Sequence, residues 1–397
     1  MTQQADYDVI IVGGGPSGAT AAHDLALTGH KVMLLDKAGR IKPCGGAVPP
    51  RLLKDFDIPQ SLLVAHAKSA RIIAPSNKKV IMPVGDGFVG MVDRDTFDEW
   101  LCNRAAEAGA ERVTGICETV DDSADIVTLS FRCNRTSSLQ TVTTRAVIGA
   151  DGARSNVAQQ CIKNASEMPF VFAYHEIVEV PDEITADYER TRCDVYYQGH
   201  LSPDFYAWVF PHGKTASIGL GSANKGFPLR ETTRLMREQI GLSNWKTIRK
   251  EGAPIPLKPL KRWDNGRNVV VAGDAAGVVA PSSGEGIYYA MTAGRTSADA
   301  VALFLKTGDA KALRRARSAF MKAHGRVFWI LGMMQYFWYK NDNRRERFVK
   351  MCEDPDVQRL TWEAYMNKQL VGKDPMAHVR IFLKDLAHLF GLKAVER

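Results

Sequence analysis

Residues 8–36 read DVIIVGGGPSGATAAHDLALTGHKVMLLD. An apolar run, Val9 to Val12, leads into a glycine-rich turn, a helix-compatible segment and a second apolar run that ends in Asp36. Short apolar runs bounded by turn residues read as buried strands, so this order predicts a βαβ unit. The spacing Gly13-x-Gly15-x-x-Gly18 gives the turn its chemistry. Gly13 allows the tight bend, Gly15 omits the Cβ that would collide with a pyrophosphate, and Gly18 lets the helix pack closely on the strand. Pro16 and Ser17 open a helix whose N-terminus offers unpaired N–H groups and partial positive charge to phosphates. Asp36, 18 residues beyond Gly18 and followed by Lys37, is placed to accept hydrogen bonds from a ribose. A free 2′-hydroxyl suits that carboxylate and a 2′-phosphate does not, so the unit is expected to hold FAD or NAD rather than NADP.

A chain of 397 residues suggests two or three domains, and 45% hydrophobic with 24% charged residues is ordinary for a soluble globular protein. The start, MTQQADY, is polar and leads at once into the first strand, which argues against a signal peptide. The seven cysteines form no C-x-x-C pair, so neither a disulfide framework nor a structural zinc site is expected, and the composition reads as cytoplasmic. The net charge of +8 is concentrated. Residues 306–350 carry 12 Lys or Arg against 3 acids, a block suited to an anionic membrane surface, an acidic partner or nucleic acid. Nothing else in the chain resembles a nucleic-acid module.

Beyond the βαβ unit, RIKPCGGAVPP at 40–50 combines three prolines with adjacent glycines. It reads as a rigid loop whose backbone, at Gly45, Gly46 and Ala47, can approach a ligand closely. Cys44 within it is either an inert thiol or one that touches cofactor or substrate. Residues 70–92 read as short antiparallel strands, and 93–110 as an amphipathic helix with Phe97, Leu101 and Ala105 on one face. Arg94 at its entry could pair with pyrophosphate. The β pattern from 112 to 150 ends in Asp151-Gly152-Ala153-Arg154-Ser155, where Asp151 and Arg154 make a second plausible phosphate or ribose contact.

The segment 168–260 is rich in aromatics and turn residues and reads as a mainly antiparallel sheet with one helix near 229–242. In FYAWVFP, strand alternation places Tyr206, Trp208 and Phe210 on one face. That stripe is either core or the wall of a hydrophobic substrate pocket, with Pro211 beside it. At 267–291 the α/β texture returns. A strand from Val269 ends in Gly273-Asp274, and Gly284-x-Gly286-Ile287 opens a long helix. Asp274 is placed to bond the ribityl or ribose part of a flavin nucleotide, with Gly284, Gly286 and Ile287 toward the ring.

The Gly13-Gly15-Gly18 turn with Asp36, Arg94, the Asp151–Ser155 segment and Gly273-Asp274 together resemble the FAD-dependent oxidoreductases of the para-hydroxybenzoate hydroxylase fold. Within that group, PCGGAVPP at 43–50, YAWVFP at 206–211 and GDAAGVVAPSSGEGI at 273–287 resemble the geranylgeranyl reductases, with the strongest likeness to those of chlorophyll and bacteriochlorophyll synthesis. The resemblance covers most of residues 5–300. It implies a Rossmann-type FAD-binding domain interleaved with a mainly antiparallel catalytic domain, followed by a small helical C-terminal region. It also implies reduction of a geranylgeranyl tail, pigment-esterified or as the diphosphate, to phytyl, with hydride from reduced FAD and NADPH as electron source. The chain carries no second G-x-G-x-x-G, so NADPH would dock transiently.

The chemistry asks for more than a flavin. An isolated trisubstituted alkene accepts hydride poorly, so a proton must arrive with it and positive charge develops at a tertiary carbon. Cys44 is a candidate proton donor or positioning group, and Tyr206 and Trp208 are candidates to face the cation. The domain boundaries expected are 1–69, 91–167 and 261–325 for the FAD-binding domain, 70–90 and 168–260 for the catalytic domain, and 326–397 for the helical region. Within the last, VFWILGMMQYFWY at 327–339 is too short to span a bilayer. It fits either a buried helix or an interfacial one, and peripheral association with the inner, photosynthetic membrane is expected. Two other classes use similar motifs: a flavin monooxygenase, and a non-enzymatic prenyl carrier of the GDP dissociation inhibitor type, against which the intact glycine turn argues.

Overall fold

The computed structural model describes residues 5–368 except 38, 40, 41, 135, 185 and 186. The expected C-terminal helical region therefore lies partly outside the described residues, from 369 onward. The first half of the chain forms β1 (Tyr7–Val12), α1 (Pro16–Leu27), β2 (Val32–Asp36), β3 (Ala47–Val48), α2 (Pro50–Asp55), β4 (Leu63–Ala67), β5 (Ser69–Ile73), β6 (Lys79–Pro83), β7 (Val89–Val92), α3 (Arg94–Glu107), β8 (Glu111–Asp121), β9 (Val127–Cys133), β10 (Leu139–Gly149) and α4 (Asn156–Cys161). The second half adds β11 (Phe170–Glu179), β12 (Arg192–Tyr196), β13 (Ala207–His212), β14 (Thr215–Ser222), α5 (Leu229–Gln239), β15 (Thr247–Pro256), β16 (Val269–Val271), α6 (Ile287–Thr307), α7 (Arg314–Trp338), α8 (Asp342–Met351) and α9 (Pro355–Asn367).

The chain divides into two compact units. The first comprises residues 1–42, 94–170 and 254–332, the second 43–93, 171–253 and 333–397. These limits differ from the sequence expectation at two places. Residues 43–69 group with the second unit because β3 and β4 both pair with β7. Residues 333–368 join the second unit rather than standing apart, because α9 packs its Trp362, Tyr365 and Met366 on that same small sheet.

In the first unit Val9–Val12 of β1, Val32–Leu35 of β2 and all of β16 are apolar and buried, as a parallel sheet covered on both faces requires. β8 pairs parallel with β2, β2 with β1, β1 with β10 and β10 with β16. The two 11-residue strands serve both the parallel and the antiparallel part of this one six-stranded sheet. In β8 the residues to Thr114 pair with β2 and those from Gly115 with β9, while in β10 the residues to Thr144 pair with β9 and those from Thr144 onward with β1. An antiparallel meander is thus continuous with the parallel sheet. Phe97, Leu101 and Ala105 are fully buried on α3, the face the sequence predicts.

The second unit holds a seven-stranded sheet in the order β15-β11-β14-β13-β12-β5-β6 and the three-stranded sheet β3-β7-β4. Its main core joins Val178, Val209, Ile218 and Leu220 of the large sheet to Met236 of α5. One polar cluster is buried beside it. Asp194 Oδ1 accepts from Arg71 Nε at 3.0 Å and from Arg192 Nε at 2.8 Å, and all three side chains are about 95% buried. Both guanidinium groups also reach the exposed Asp187. Removing one partner of a buried pair strands the other charges. Asp194→Ala is expected to cost about 3 kcal/mol, against less than about 1 kcal/mol for the exposed Asp187→Ala. Urea unfolding midpoints of the two variants at constant slope check that ordering.

Candidate active site

In the first unit the glycine turn is built by close backbone approaches. Gly13 has φ +107°, and a Cβ there would collide with the Ala150 carbonyl; a Cβ on Gly18 would collide with the Gly13 carbonyl. At Gly15 the opposite holds, because an added Cβ would meet nothing within 4 Å. That open space lies in front of α1, whose N-cap is Gly15 with no side-chain cap and whose first residue is Pro16. The first N–H groups of the helix are thus offered to whatever fills the space.

Ser17 reinforces this reading. Its hydroxyl is buried and has no hydrogen-bond partner, a condition that native proteins seldom leave unmet. Gly273 (φ +63°) at the end of β16 would place a Cβ 2.7 Å from Ser17 Cβ, and Gly294 of α6 would collide with the Ser17 carbonyl. So α1, α6 and the end of β16 all converge on Ser17. The uncapped helix N-terminus, the open position at Gly15 and the orphaned hydroxyl together fit the pyrophosphate of a dinucleotide.

Asp36 ends β2 and accepts from Gly14 N at 2.9 Å through Oδ1, which ties the second strand's acid to the turn itself. The Cys102 thiol donates to Gly14 O at 3.1 Å from the other side, and burial pushes that thiol up to about 12, so it remains protonated. Lys37 is exposed, and its carbonyl accepts from Asn134 Nδ2 at 2.6 Å. The carboxylate of Asp274 pairs with Lys42 Nζ, a residue that sequence reasoning passed over. Gly286 caps α6 at its N-terminus, Gly284 has φ +65°, and Ile287 is buried as the first helical residue.

Two candidates have local partners of their own. Arg94 is buried and forms a bidentate pair with Asp98 one turn on, at 2.8 and 2.6 Å. Asp151 accepts from Asn156 N at 2.6 Å, from Val157 N at 3.2 Å and from the Ser155 hydroxyl, and so acts as a cap for α4. Burial raises the Asp151 carboxyl, and these donors oppose the shift. Arg154 is exposed.

In the second unit the Cys44 loop and the aromatic stripe meet. A Cβ on Gly45 would lie 2.9 Å from the Phe210 ring, and Gly46, at φ +71°, would bring one within 2.6 Å of His212 Cε1. Only glycine at both positions lets the loop lie on the strand. His212, the residue after Pro211, clamps it there. Its Nε2 lies 3.0 Å from Gly45 O and its Nδ1 2.9 Å from Asp93 Oδ1. The half-buried Cys44 Sγ accepts from Gly46 N at 3.3 Å, and Ala47 starts β3 against Met91. Along the stripe, the Tyr206 and Trp208 ring centroids are 5.9 Å apart and those of Trp208 and Phe210 6.2 Å apart. Phe210 also packs in a cluster with Trp362, Tyr365 and Met366. Neither His212 nor Asp93 was visible as a site residue in the sequence. The only available signal was the placement of His212 directly after YAWVFP.

Residues 11–82 match the NAD(P)-binding Rossmann-like domain family, and residues 228–385 match the lycopene cyclase protein family. Among solved structures, a geranylgeranyl bacteriochlorophyll reductase-like protein from Thermoplasma acidophilum superposes with a TM-score of 0.81 at 24% identity, covering 95% of this chain and 99% of that one. A flavoprotein/dehydrogenase from Cytophaga hutchinsonii superposes with a TM-score of 0.73 at 17% identity, covering 96% and 99%. Both show the shared fold. In sequence, the chain is 32% identical to the geranylgeranyl diphosphate reductase of a Synechocystis species, over 96% of this chain and 97% of that one. It is 56% identical to the geranylgeranyl diphosphate reductase of Rhodobacter capsulatus, over 97% of this chain and 98% of that one. At 56% identity over nearly the whole length of both chains, the chain belongs to the geranylgeranyl reductase family.

Proposed function

We propose that this protein is a flavin-dependent reductase that saturates three double bonds of a geranylgeranyl group to give phytyl. The substrate is the tail esterified to bacteriochlorophyll or the free diphosphate, and NADPH is the electron source. The observation that carries the reading is the 56% identity to the Rhodobacter capsulatus enzyme across nearly the full length of both chains. The orphaned Ser17 hydroxyl in the first turn of a helix without a side-chain cap supports a bound dinucleotide. Bound there in reduced form, FAD supplies the hydride.

The residues of the chain then have distinct tasks. Ser17 and the first N–H groups of α1 hold the pyrophosphate, and Asp36 holds the adenosine ribose. Asp274 and Lys42 form one neutralised pair near the same helix ends. Tyr206 and Trp208 face the carbon where positive charge develops, which a ring face stabilises by about 0.5–2 kcal/mol. Phe210 and Pro211 hold the tail. Cys44 Sγ holds the proton delivered to the alkene or positions the carbon that receives it, on a loop fixed by His212 and Asp93.

We also assign the protein a peripheral place on an anionic membrane. No described helix is long and apolar enough to cross a membrane. On α7, Lys322, Arg326, Trp329, Met333 and Tyr336 follow one another at helical spacing, and all five are exposed. Trp329 is 64% and Tyr336 69% exposed. Aromatic rings in line with cations suit a headgroup layer.

Purified protein is expected to be yellow, and Gly18→Ala is expected to lose the visible flavin absorbance while keeping the far-ultraviolet dichroism of the native fold. With reduced flavin, each candidate substrate is expected to gain hydrogen in steps of one alkene, read by mass spectrometry and without oxygen consumption. Oxygenated products would overturn the reading in favour of a monooxygenase. Cys44→Ala is expected to slow turnover about 100-fold, and unchanged turnover of every double bond removes Cys44 from the mechanism. The protein is expected to sediment with anionic vesicles at low salt and to be released at high salt. Trp329→Ala with Tyr336→Ala weakens that binding, and failure of the native protein to bind such vesicles contradicts the membrane assignment.

A further inference from the structure

Four adjacent strands of the second unit's large sheet each contribute one polar group to a continuous buried chain. Register places His175 of β11 opposite Gly219 of β14, and Gly219 opposite Trp208 of β13. In that row the glycine is a gap. A Cβ on Gly219 would lie 2.5 Å from both His175 Cβ and Trp208 Cζ2, so the base of the histidine side chain and the indole ring occupy the space a side chain would fill. Ser217, two residues back on β14, bridges them. Its Oγ accepts from Trp208 Nε1 at 3.1 Å and lies 2.9 Å from His175 Nδ1. The other imidazole nitrogen, Nε2, lies 3.0 Å from Glu251 Oε2 on β15, and Arg249 Nε lies 2.6 Å from Glu251 Oε1.

The direction of every bond in this chain follows from its ends. An indole N–H only donates, so Ser217 Oγ accepts there. A carboxylate paired with a guanidinium only accepts, so His175 donates Nε2–H to Glu251. With the imidazole neutral, His175 Nδ1 is then the acceptor, and the Ser217 hydroxyl hydrogen points to it. Trp208 donates to Ser217, Ser217 to His175 and His175 to Glu251. Ser217 is fully buried and the His175 and Trp208 residues are 2% and 6% exposed, whereas the Glu251 side chain reaches the surface at 12%.

We infer that Glu251, His175 and Ser217 are positioning residues that fix the Trp208 indole between Tyr206 and Phe210. An indole N–H does not transfer protons, so the chain orients and does not supply the alkene's proton. A Trp ring can turn about its side-chain bonds, and a single buried acceptor at Nε1 selects one orientation and therefore which face the ring presents. This inference rests on the proposal that Trp208 faces the tail during reduction. It adds that the sheet, through three side chains from the other strands, determines how.

The test uses full-length, FAD-loaded protein with ¹⁵N-labelled tryptophan. Its seven tryptophans give indole N–H signals of which Trp208→Phe identifies one. Ser217→Ala, His175→Phe and Glu251→Gln are each expected to move that signal and leave the others in place, and to slow turnover about tenfold with partly reduced products accumulating. Ser217→Thr keeps the hydroxyl and is expected to retain both the signal position and the rate within about twofold. An indole signal unmoved in His175→Phe and Glu251→Gln overturns the chain of bonds. Shifted signals with native turnover in all three variants overturn its part in the reaction. A Trp208→Phe enzyme that works at the native rate overturns instead the placement of Trp208 against the tail, and the signal shifts keep those two failures distinct.

Discussion

The first unit depends on one steric constraint: at Ser17, three pieces of backbone come closer than side chains permit. α1 starts there, the turn after β16 reaches it at Gly273, and α6 crosses there at Gly294. Each approach requires a missing Cβ, and each brings backbone dipoles toward one place. The same crowding buries the Ser17 hydroxyl without a partner. A buried unsatisfied hydroxyl costs about 1–3 kcal/mol, a deficit that any hydrogen-bonding group entering there would remove. Packing and affinity are therefore a single arrangement in this unit.

The second unit works by a different principle. There the functional groups are side chains, and glycines make room for them. Gly45 and Gly46 let the Cys44 loop lie against Phe210 and His212, and Gly219 lets His175 and Trp208 share one row of the sheet. Polar groups hold the result in place: His212 between Asp93 and the Gly45 carbonyl, and Ser217 between an indole and an imidazole. Such satisfied buried networks specify one arrangement where apolar packing alone tolerates several.

These two modes explain what could be read in advance. The Gly13–Asp36 unit, the amphipathic face of α3 and the stripe Tyr206–Trp208–Phe210 are local patterns, so spacing alone exposes them. The Gly273-Asp274 turn was legible through its apolar strand and small-residue loop. The partners were not. Lys42 and Asp274 are 232 positions apart and Asp93 and His212 are 119 apart, and no periodicity links them. Charge type alone also does not reveal that Arg94 pairs with Asp98 and that Asp151 accepts from the first turn of α4. The domain limits shifted for a related reason: β3 and α9 are assigned by what they pack on, which a composition change does not register.

The division of the first unit into residues 1–42, 94–170 and 254–332 has a consequence for the growing chain on the ribosome. The βαβ unit emerges first, yet Gly273 and Gly294, which close around Ser17, follow only after the second unit's first two segments have been made. Until then α1 has one side uncovered and β10 lacks its neighbour β16. A nascent chain of ~250 residues thus exposes an apolar sheet edge, the state most open to wrong pairing and most in need of a chaperone. Capture of the dinucleotide is correspondingly a late event in biogenesis, and it reports that the chain has returned to its starting sheet.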